Sequence, residues 1–291
     1  MRTLTVTAAQ AACLALDIPA NVATAAALLE AAADQGADLL VLPELFLTGY
    51  ELPGIVADPA SLTVAPDDPR LDPLAAACAR TRTAVVVGAP TRGAATGALH
   101  VSALVLGRDG VYTTRYDKQH VTPGERAAGF TPGDRGCTVV LDGWRLGLGI
   151  CWDLGFPEHA RAAALDGCDA CLVGAMLGLG GGARQRAAVF PARAFDNTNY
   201  AVLANHIGVS GRYDGCGGSA VWGPDGALLA DAGTADPGLA TVRLDPAALR
   251  TAREQEPVLT DPSLTAPGVR AESTRSADSA LSVAASTLGR P

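Results

Sequence analysis

Cys151 lies in Leu146-Gly-Leu-Gly-Ile-Cys-Trp-Asp-Leu-Gly-Phe-Pro-Glu158, where an apolar run of strand length ends in a thiol and a Pro-Glu pair then opens a helix. A side chain at the C-terminal end of a buried strand faces the crevice of an α/β fold, and a helix N-terminus just beyond favours negative charge. A thiolate is such a charge, so the position suits a nucleophile. It equally suits a small buried hydrophobe, the commonest role of a free cysteine. The decision rests on partners elsewhere in the chain.

Glu44 closes Asp38-Leu-Leu-Val-Leu-Pro-Glu44, and an ionised carboxylate ending a buried strand is costly unless paired or hydrogen-bonded. Lys118 follows a strand in Arg115-Tyr-Asp-Lys-Gln-His120. Taken singly, a cap or salt bridge accounts for the first and solvent for the second. Together, a carboxylate, an ammonium and a thiol at three strand ends supply the base, oxyanion partner and nucleophile of covalent acyl transfer.

The elements that must position these groups follow an α/β order. Residues 2–9 read as a strand, Asn21 caps a helix reaching Gln35 and Gly36, and 38–44 reads as a strand buried on both faces. Pro53 to Pro73 reads as a loop, Leu74 to Arg82 as a helix and Ala84 to Ala89 as a strand. A hairpin spans Ser102 to Tyr112 with its turn at Asp109-Gly110, followed by a long loop containing Pro123-Gly-Glu125. Strands at 137–141 and up to Cys151, a helix at 157–165, a strand at 169–174, a helix at 183–197 and a strand at 200–205 lead to a second hairpin, Ser219 to Leu229. The second hairpin repeats the Ser-Ala start and Asp-Gly turn of the first. This pseudo-repeat predicts two similar sheets packed face to face with helices outside, a four-layer α-β-β-α sandwich formed by residues 1–256. A strand at 239–244 and a helix at 246–255 complete it, and the Ser-, Ala- and Pro-rich stretch 257–291 reads as a partly mobile C-terminal extension.

Composition limits the partners. The chain of 291 residues is 48% hydrophobic, with 22 Lys+Arg against 30 Asp+Glu, and it lacks the basic footprint that nucleic acid or an anionic membrane requires. A small-molecule substrate is expected instead. The 7 cysteines are odd in number and irregularly spaced, which fits reduced thiols in the cytoplasm. No stretch approaches the roughly 20 apolar residues of a membrane span.

Three blocks resemble the nitrilase superfamily of carbon-nitrogen hydrolases: Leu42-Pro-Glu-Leu-Phe-Leu-Thr-Gly-Tyr50, Tyr116-Asp-Lys-Gln-His120 and Gly149-Ile-Cys-Trp-Asp-Leu-Gly-Phe-Pro-Glu158. Asn199-Tyr-Ala-Val-Leu-Ala-Asn205 and Gly217-Gly-Ser-Ala-Val-Trp-Gly-Pro-Asp-Gly226 extend the likeness to roughly residues 3–245. The resemblance implies the same sandwich, pairing of subunits into a homodimer or higher homo-oligomer, no cofactor and no metal, and a Glu-Lys-Cys catalytic set. It makes Cys151 the nucleophile of a thioester, Glu44 the general base and acid, and Lys118 the oxyanion partner beside the Trp152 N–H. Glu125 is the candidate for the family's second glutamate, positioning Lys118 and substrate, with Tyr50 and Met176 as further substrate-binding residues. A thiol near its usual pKa of about 8.5 would, beside an ammonium and a helix N-terminus, be expected to titrate lower.

Trp152, Asp153 and Gly155 depart from the usual amidase pattern, and Trp152-Asp153 also differs from the Trp-Glu of true nitrilases. The Phe46-Leu-Thr-Gly-Tyr50 block and Leu259-Thr-Asp261 resemble hydrolases of short aliphatic or ω-amino carboxamides. Nitrile and N-carbamoyl substrates are the alternatives within the family. Outside it, Gly178-Leu-Gly-Gly-Gly-Ala183 with Asp196 imitates a dinucleotide-binding turn, the mark of an oxidoreductase, but a lone glycine run is a weak signal. A catalytically silent interaction protein is the remaining alternative. Cys168-Asp-Ala-Cys171 has no second cysteine pair, and His100, His120, His159 and His206 show no ligand spacing.

Overall fold

Strand pairing follows the apolar runs. In the computed structural model, which describes residues 1–261, the first half contains β1 (Leu4–Gln10), α1 (Ile18–Asp34), β2 (Leu39–Val41), α2 (Leu52–Ala57), α3 (Pro59–Leu62), α4 (Asp72–Thr81), β3 (Ala84–Arg92), β4 (Leu99–Leu106) and β5 (Tyr112–Asp117). The second half runs α5 (Pro123–Ala128), β6 (Thr138–Leu141), β7 (Trp144–Ile150), α6 (Pro157–Leu165), β8 (Ala170–Ala175), α7 (Gly181–Asp196) and β9 (Tyr200–Asn205). It ends with β10 (Ile207–Ser210), β11 (Tyr213–Cys216), β12 (Ala220–Trp222), β13 (Leu228–Asp231), β14 (Gly238–Leu244) and α8 (Pro246–Gln255).

The two large sheets have the same internal pattern. One has the order β14-β1-β2-β3-β4-β5 and the other β13-β12-β9-β8-β7-β6. In each, three central strands are parallel, β1-β2-β3 and β7-β8-β9, with two antiparallel strands on one side and one on the other. The pseudo-repeat therefore extends from the hairpins to whole sheets.

The layers follow from which faces are apolar. Val6, Leu39 and Val86 of the first sheet share one core with Leu146, Leu148, Leu172 and Val202 of the second. The opposite face of the first sheet buries Leu40, Val85 and Val87 against Ile18, Val22 and Leu29 of α1 and Leu74 of α4. The opposite face of the second buries Val173, Leu203 and Trp222 against Phe190 and Ala194 of α7. This is the expected α-β-β-α sandwich, and Met1–Leu259 form one compact unit.

Local corrections concern ends and loops. α1 starts at Ile18, capped by the Asp17 side chain accepting from the Ala20 N–H. Asn21 is instead buried, its amide tied to the carbonyls of Leu14 and Leu47. The Pro53–Pro73 stretch contains α2, α3 and a short 3-10 turn, because Pro at a first helical position is compatible with a helix start. β10 and β11 form an unforeseen two-stranded sheet. The expected mobile extension lies, from residue 262 onward, outside the described residues.

Candidate active site

Glu44 lies beyond β2 rather than in it, within a turn where Leu45 has φ 49°. Two glycines, one from each sheet, make room for that turn. A Cβ on Gly88 of β3 would come 2.2 Å from the Pro43 carbonyl oxygen, and one on Gly174 of β8 2.7 Å from that of Leu42 and 3.0 Å from the Glu44 nitrogen. His206 Nε2 donates to the Glu44 main-chain carbonyl at 2.6 Å, which fixes the proton on Nε2, since a carbonyl only accepts. Burial pushes the His206 pKa down to about 4, so this buried ring is neutral.

Lys118 follows β5, its N–H donating to the Val101 carbonyl at 2.9 Å and its carbonyl accepting from the Gly133 N–H at 2.9 Å. Its Nζ donates to Glu44 Oε1 and to Glu125 Oε1, each at 2.6 Å, and all three side chains are fully buried. Glu125 stands in the first turn of α5, not in an open loop. Its Oε2 accepts from the Thr122 N–H at 2.7 Å while Thr122 Oγ1 accepts from the Glu125 N–H at 3.2 Å, a reciprocal cap. Thr122-Pro-Gly-Glu125 carries this cap openly in the sequence. Tyr50 donates its hydroxyl to Glu125 Oε1 at 2.6 Å and also walls a cavity of about 370 Å³ with Leu52, Pro53 and Tyr213.

Cys151 begins a 3-10 turn, Cys151–Gly155, with φ 47°. A left-handed backbone at a non-glycine residue costs of order 1–2 kcal/mol and turns the side chain away from the strand direction. The thiol is coupled electrostatically to the Glu44 carboxylate and to the Met176 N–H, and that N–H donates to Glu44 Oε2 at 3.1 Å. Trp152 follows in the turn, its ring edge-on to Phe156 at 5.2 Å, and borders a shallow cavity with Val121, Pro123 and Arg126. Glu44, Tyr50, Lys118, Glu125 and Met176 are thus linked by hydrogen bonds, Cys151 is coupled to Glu44 and Lys118 by charge, and Trp152 adjoins the thiol in the chain.

The electrostatics correct one expectation. Desolvation pushes the Cys151 thiol well above its usual pKa, Glu44 adds to this, and Lys118 opposes it without prevailing. The α-helix whose N-terminus was to assist begins only at Pro157. Burial also raises Glu44, to about 7, against the pull of Lys118. Lys118 is raised despite burial by Glu44, Cys151 and Glu125. Burial acts to raise Glu125 too, but Lys118 and the Tyr50 and Thr122 donors hold it below its usual value. The resting arrangement is a protonated thiol near a carboxylate of raised pKa.

His120, Asp153 and His159 place ligand-type atoms within 4.8 Å of one another, which their spacing in the sequence did not reveal. Asp153 Oδ1 accepts from His120 N and Nδ1, each at 2.9 Å, and Oδ2 accepts from Tyr116 Oη at 2.7 Å and Ile150 N at 2.9 Å. Four donors occupy the roughly four lone-pair sites of a carboxylate, so this cluster is explained as a hydrogen-bond network. Cys168 and Cys171 lie buried with sulfurs 3.8 Å apart. In the glycine loop, Leu179 N donates to the Asp214 carbonyl at 2.9 Å, and Asp196 pairs with Arg193 one turn back in α7.

A family model for carbon-nitrogen hydrolases matches residues 5–254. The chain belongs to the carbon-nitrogen hydrolase family. It is 35% identical over 233 residues to an (R)-stereoselective amidase of Pseudomonas sp, covering 77% of this chain and 79% of that protein. Omega-amidase NIT2 of Homo sapiens is 29% identical over 249 residues, covering 82% and 87%. Among solved structures, a double mutant of the amidase from Nesterenkonia sp. AN1 in complex with acrylamide superposes with a TM-score of 0.76 at 29% identity, covering 87% of this chain and 95% of that one. Another mutant of the same amidase shows covalent addition of the acetamide moiety of fluoroacetamide at the active-site cysteine. The chain is therefore an enzyme of the nitrilase superfamily. The dinucleotide-binding reading of Gly178–Ala183 gives way to this membership.

Proposed function

We propose that the enzyme hydrolyses a short carboxamide to the carboxylic acid and ammonia through a thioester on Cys151. The observation that carries this reading is the single ammonium of Lys118 held between Glu44 and Glu125, with the Cys151 thiol against Glu44. Glu44 takes the thiol proton as sulfur attacks the amide carbon, and the carbonyl oxygen becomes an oxyanion facing Lys118 Nζ and the Trp152 N–H. Glu44 then returns the proton to nitrogen as the C–N bond breaks and ammonia leaves. In the second half, Glu44 removes a proton from water attacking the thioester, and the thiol leaves protonated. Lys118 stays charged throughout, and Glu125, held by Tyr50 and Thr122, keeps its ammonium in place.

Tyr50, Trp152 and Met176 present apolar or neutral groups beside the reacting set, with Glu51, Arg126 and Arg212 lining the adjoining cavities, which supports a small acyl chain. The (R)-stereoselective amidase and omega-amidase relatives support the carboxamide reading, while relatives named as a nitrilase and an N-carbamoylputrescine amidase leave nitriles and N-carbamoyl amines as the alternatives. Residues 1–256 carry the activity as a cytoplasmic homodimer or higher homo-oligomer, without a cofactor or metal. Ammonia release across a panel of short carboxamides, N-carbamoyl compounds and nitriles tests the reading. Turnover confined to nitriles would overturn the substrate class, and turnover of none would overturn the reaction.

A further inference from the structure

We propose that Asp153 is a positioning residue that sets the distance between the two oxyanion donors, Lys118 Nζ and the Trp152 N–H, by clamping the segment 116–120 onto the turn Cys151–Gly155. The inference rests on the acyl-transfer reading above and adds a part that does not touch substrate.

Asp153 is fully buried, where an unpaired carboxylate would be prohibitive. A purely local role, holding the turn together, would need only the bond from Ile150 N. Three of its four donors instead come from the other sheet's last strand and its exit: Tyr116 Oη, His120 N and His120 Nδ1. Tyr116 and His120 stand two residues before and two after Lys118, so the lysine is bracketed by the groups Asp153 holds. On its own side, Asp153 directly follows Trp152. One carboxylate therefore ties the backbone carrying one donor to the backbone carrying the other.

The bracket is braced from outside. Tyr116 Oη, while donating to Asp153, accepts from the Gln119 N–H at 3.1 Å, closing the bend around Lys118. The His120 ring stacks on Phe156 at 4.0 Å, one residue past the turn. Among the described residues, the hydrogen bonds of the Asp153 carboxylate run to these groups and to Ile150, none to the Lys118 ammonium. Asp153 also acts on Lys118 as a charge at longer range, and the His120 pair, which leaves that charge in place, separates position from charge.

The test is a comparison of two Cys151 chemistries. Asp153→Asn keeps the size but turns two acceptor sites into an amide that cannot accept from His120 and Ile150 together. It is expected to lower kcat on a short carboxamide about 10²-fold with KM little changed, the scale of a 1 Å misplacement. Alkylation of Cys151 by iodoacetamide forms no oxyanion, so its rate should stay within about threefold of wild type, well short of a lost oxyanion donor's effect. His120→Asn, which retains an N–H donor near Oδ1, should keep most of kcat, whereas His120→Leu should not. If Asp153→Asn does not fold, the His120 pair and Tyr116→Phe carry the test. A folded Asp153→Asn with wild-type kcat overturns the clamp, as does a parallel fall of kcat and alkylation, or a His120→Asn no better than His120→Leu. Cys151→Ala separates the two levels: its retaining activity would overturn the acyl-transfer reading itself, while an inactive Cys151→Ala beside a fully active Asp153→Asn removes only the clamp.

Discussion

Lys118 Nζ stands 2.6 Å from Glu44 Oε1 with neither side chain reaching solvent. Removing one partner of such a pair leaves the other charge buried and uncompensated, which costs about 3–5 kcal/mol. Lys118→Met should therefore abolish turnover and also lower stability by about that amount, read by chemical denaturation, because it strands Glu44 and Glu125 together.

The raised pKa of Glu44, about 7, gives a pH dependence with a definite sign. The proposed base acts when ionised, so kcat/KM should fall as pH drops through that value rather than through the usual carboxylate range near 4.3. Since Lys118 is shifted up and stays charged, no loss from its side is expected below pH 9. A pH profile of kcat/KM on one carboxamide checks both limbs.

Glu125 has two separable jobs, on Lys118 and on the N-terminus of α5. Gln at the same place preserves the cap, whereas Ala removes it. Both Glu125→Gln and Glu125→Ala should be severely impaired in kcat, but Ala should be the less stable by about 1 kcal/mol, measured by thermal or denaturant unfolding.

His206 links acidity to stability. Its folded pKa, about 4 against 6.5, is depressed, so its contribution is present above pH 6.5 and is lost as pH falls through that window, when the unfolded chain takes up the proton first. The loss should approach about 3 kcal/mol by pH 4. His206→Gln should show a shallower acid dependence of unfolding free energy between pH 6.5 and 4, and an equal slope would contradict the assignment.

Gly88 and Gly174 approach the Glu44 turn from opposite sheets. At Gly88 a Cβ would meet backbone at 2.2 Å, which no flexible side chain can relieve. Gly88→Ala should lower both thermal stability and kcat, with the kcat loss of order 10²-fold if Glu44 shifts by about 1 Å.

The fold was legible because buried strands are continuous apolar runs and because two Ser-Ala hairpins with Asp-Gly turns advertise a repeat. Glu44 and Cys151 stand just past apolar runs and Lys118 just past the polar strand β5, so the sequence marks each position but not their meeting. Glu125 was readable as a helix cap from Thr122-Pro-Gly-Glu125, a signal outweighed by the surrounding Pro and Gly. Asp153 and His206 were not readable, since the partners that define them come from segments 33 and 162 residues away in the chain. The direction of the Cys151 shift escaped for a related reason: a sequence names the charges near a thiol but not how much water they exclude.

The central claim is an acyl-enzyme on Cys151. The direct measurement is rapid-quench peptide mass spectrometry of the enzyme turning over a short carboxamide. The account predicts the acyl mass on the peptide carrying Cys151, with no adduct and no ammonia from Cys151→Ala. Turnover without any Cys151 adduct, together with full activity in Cys151→Ala, would contradict it.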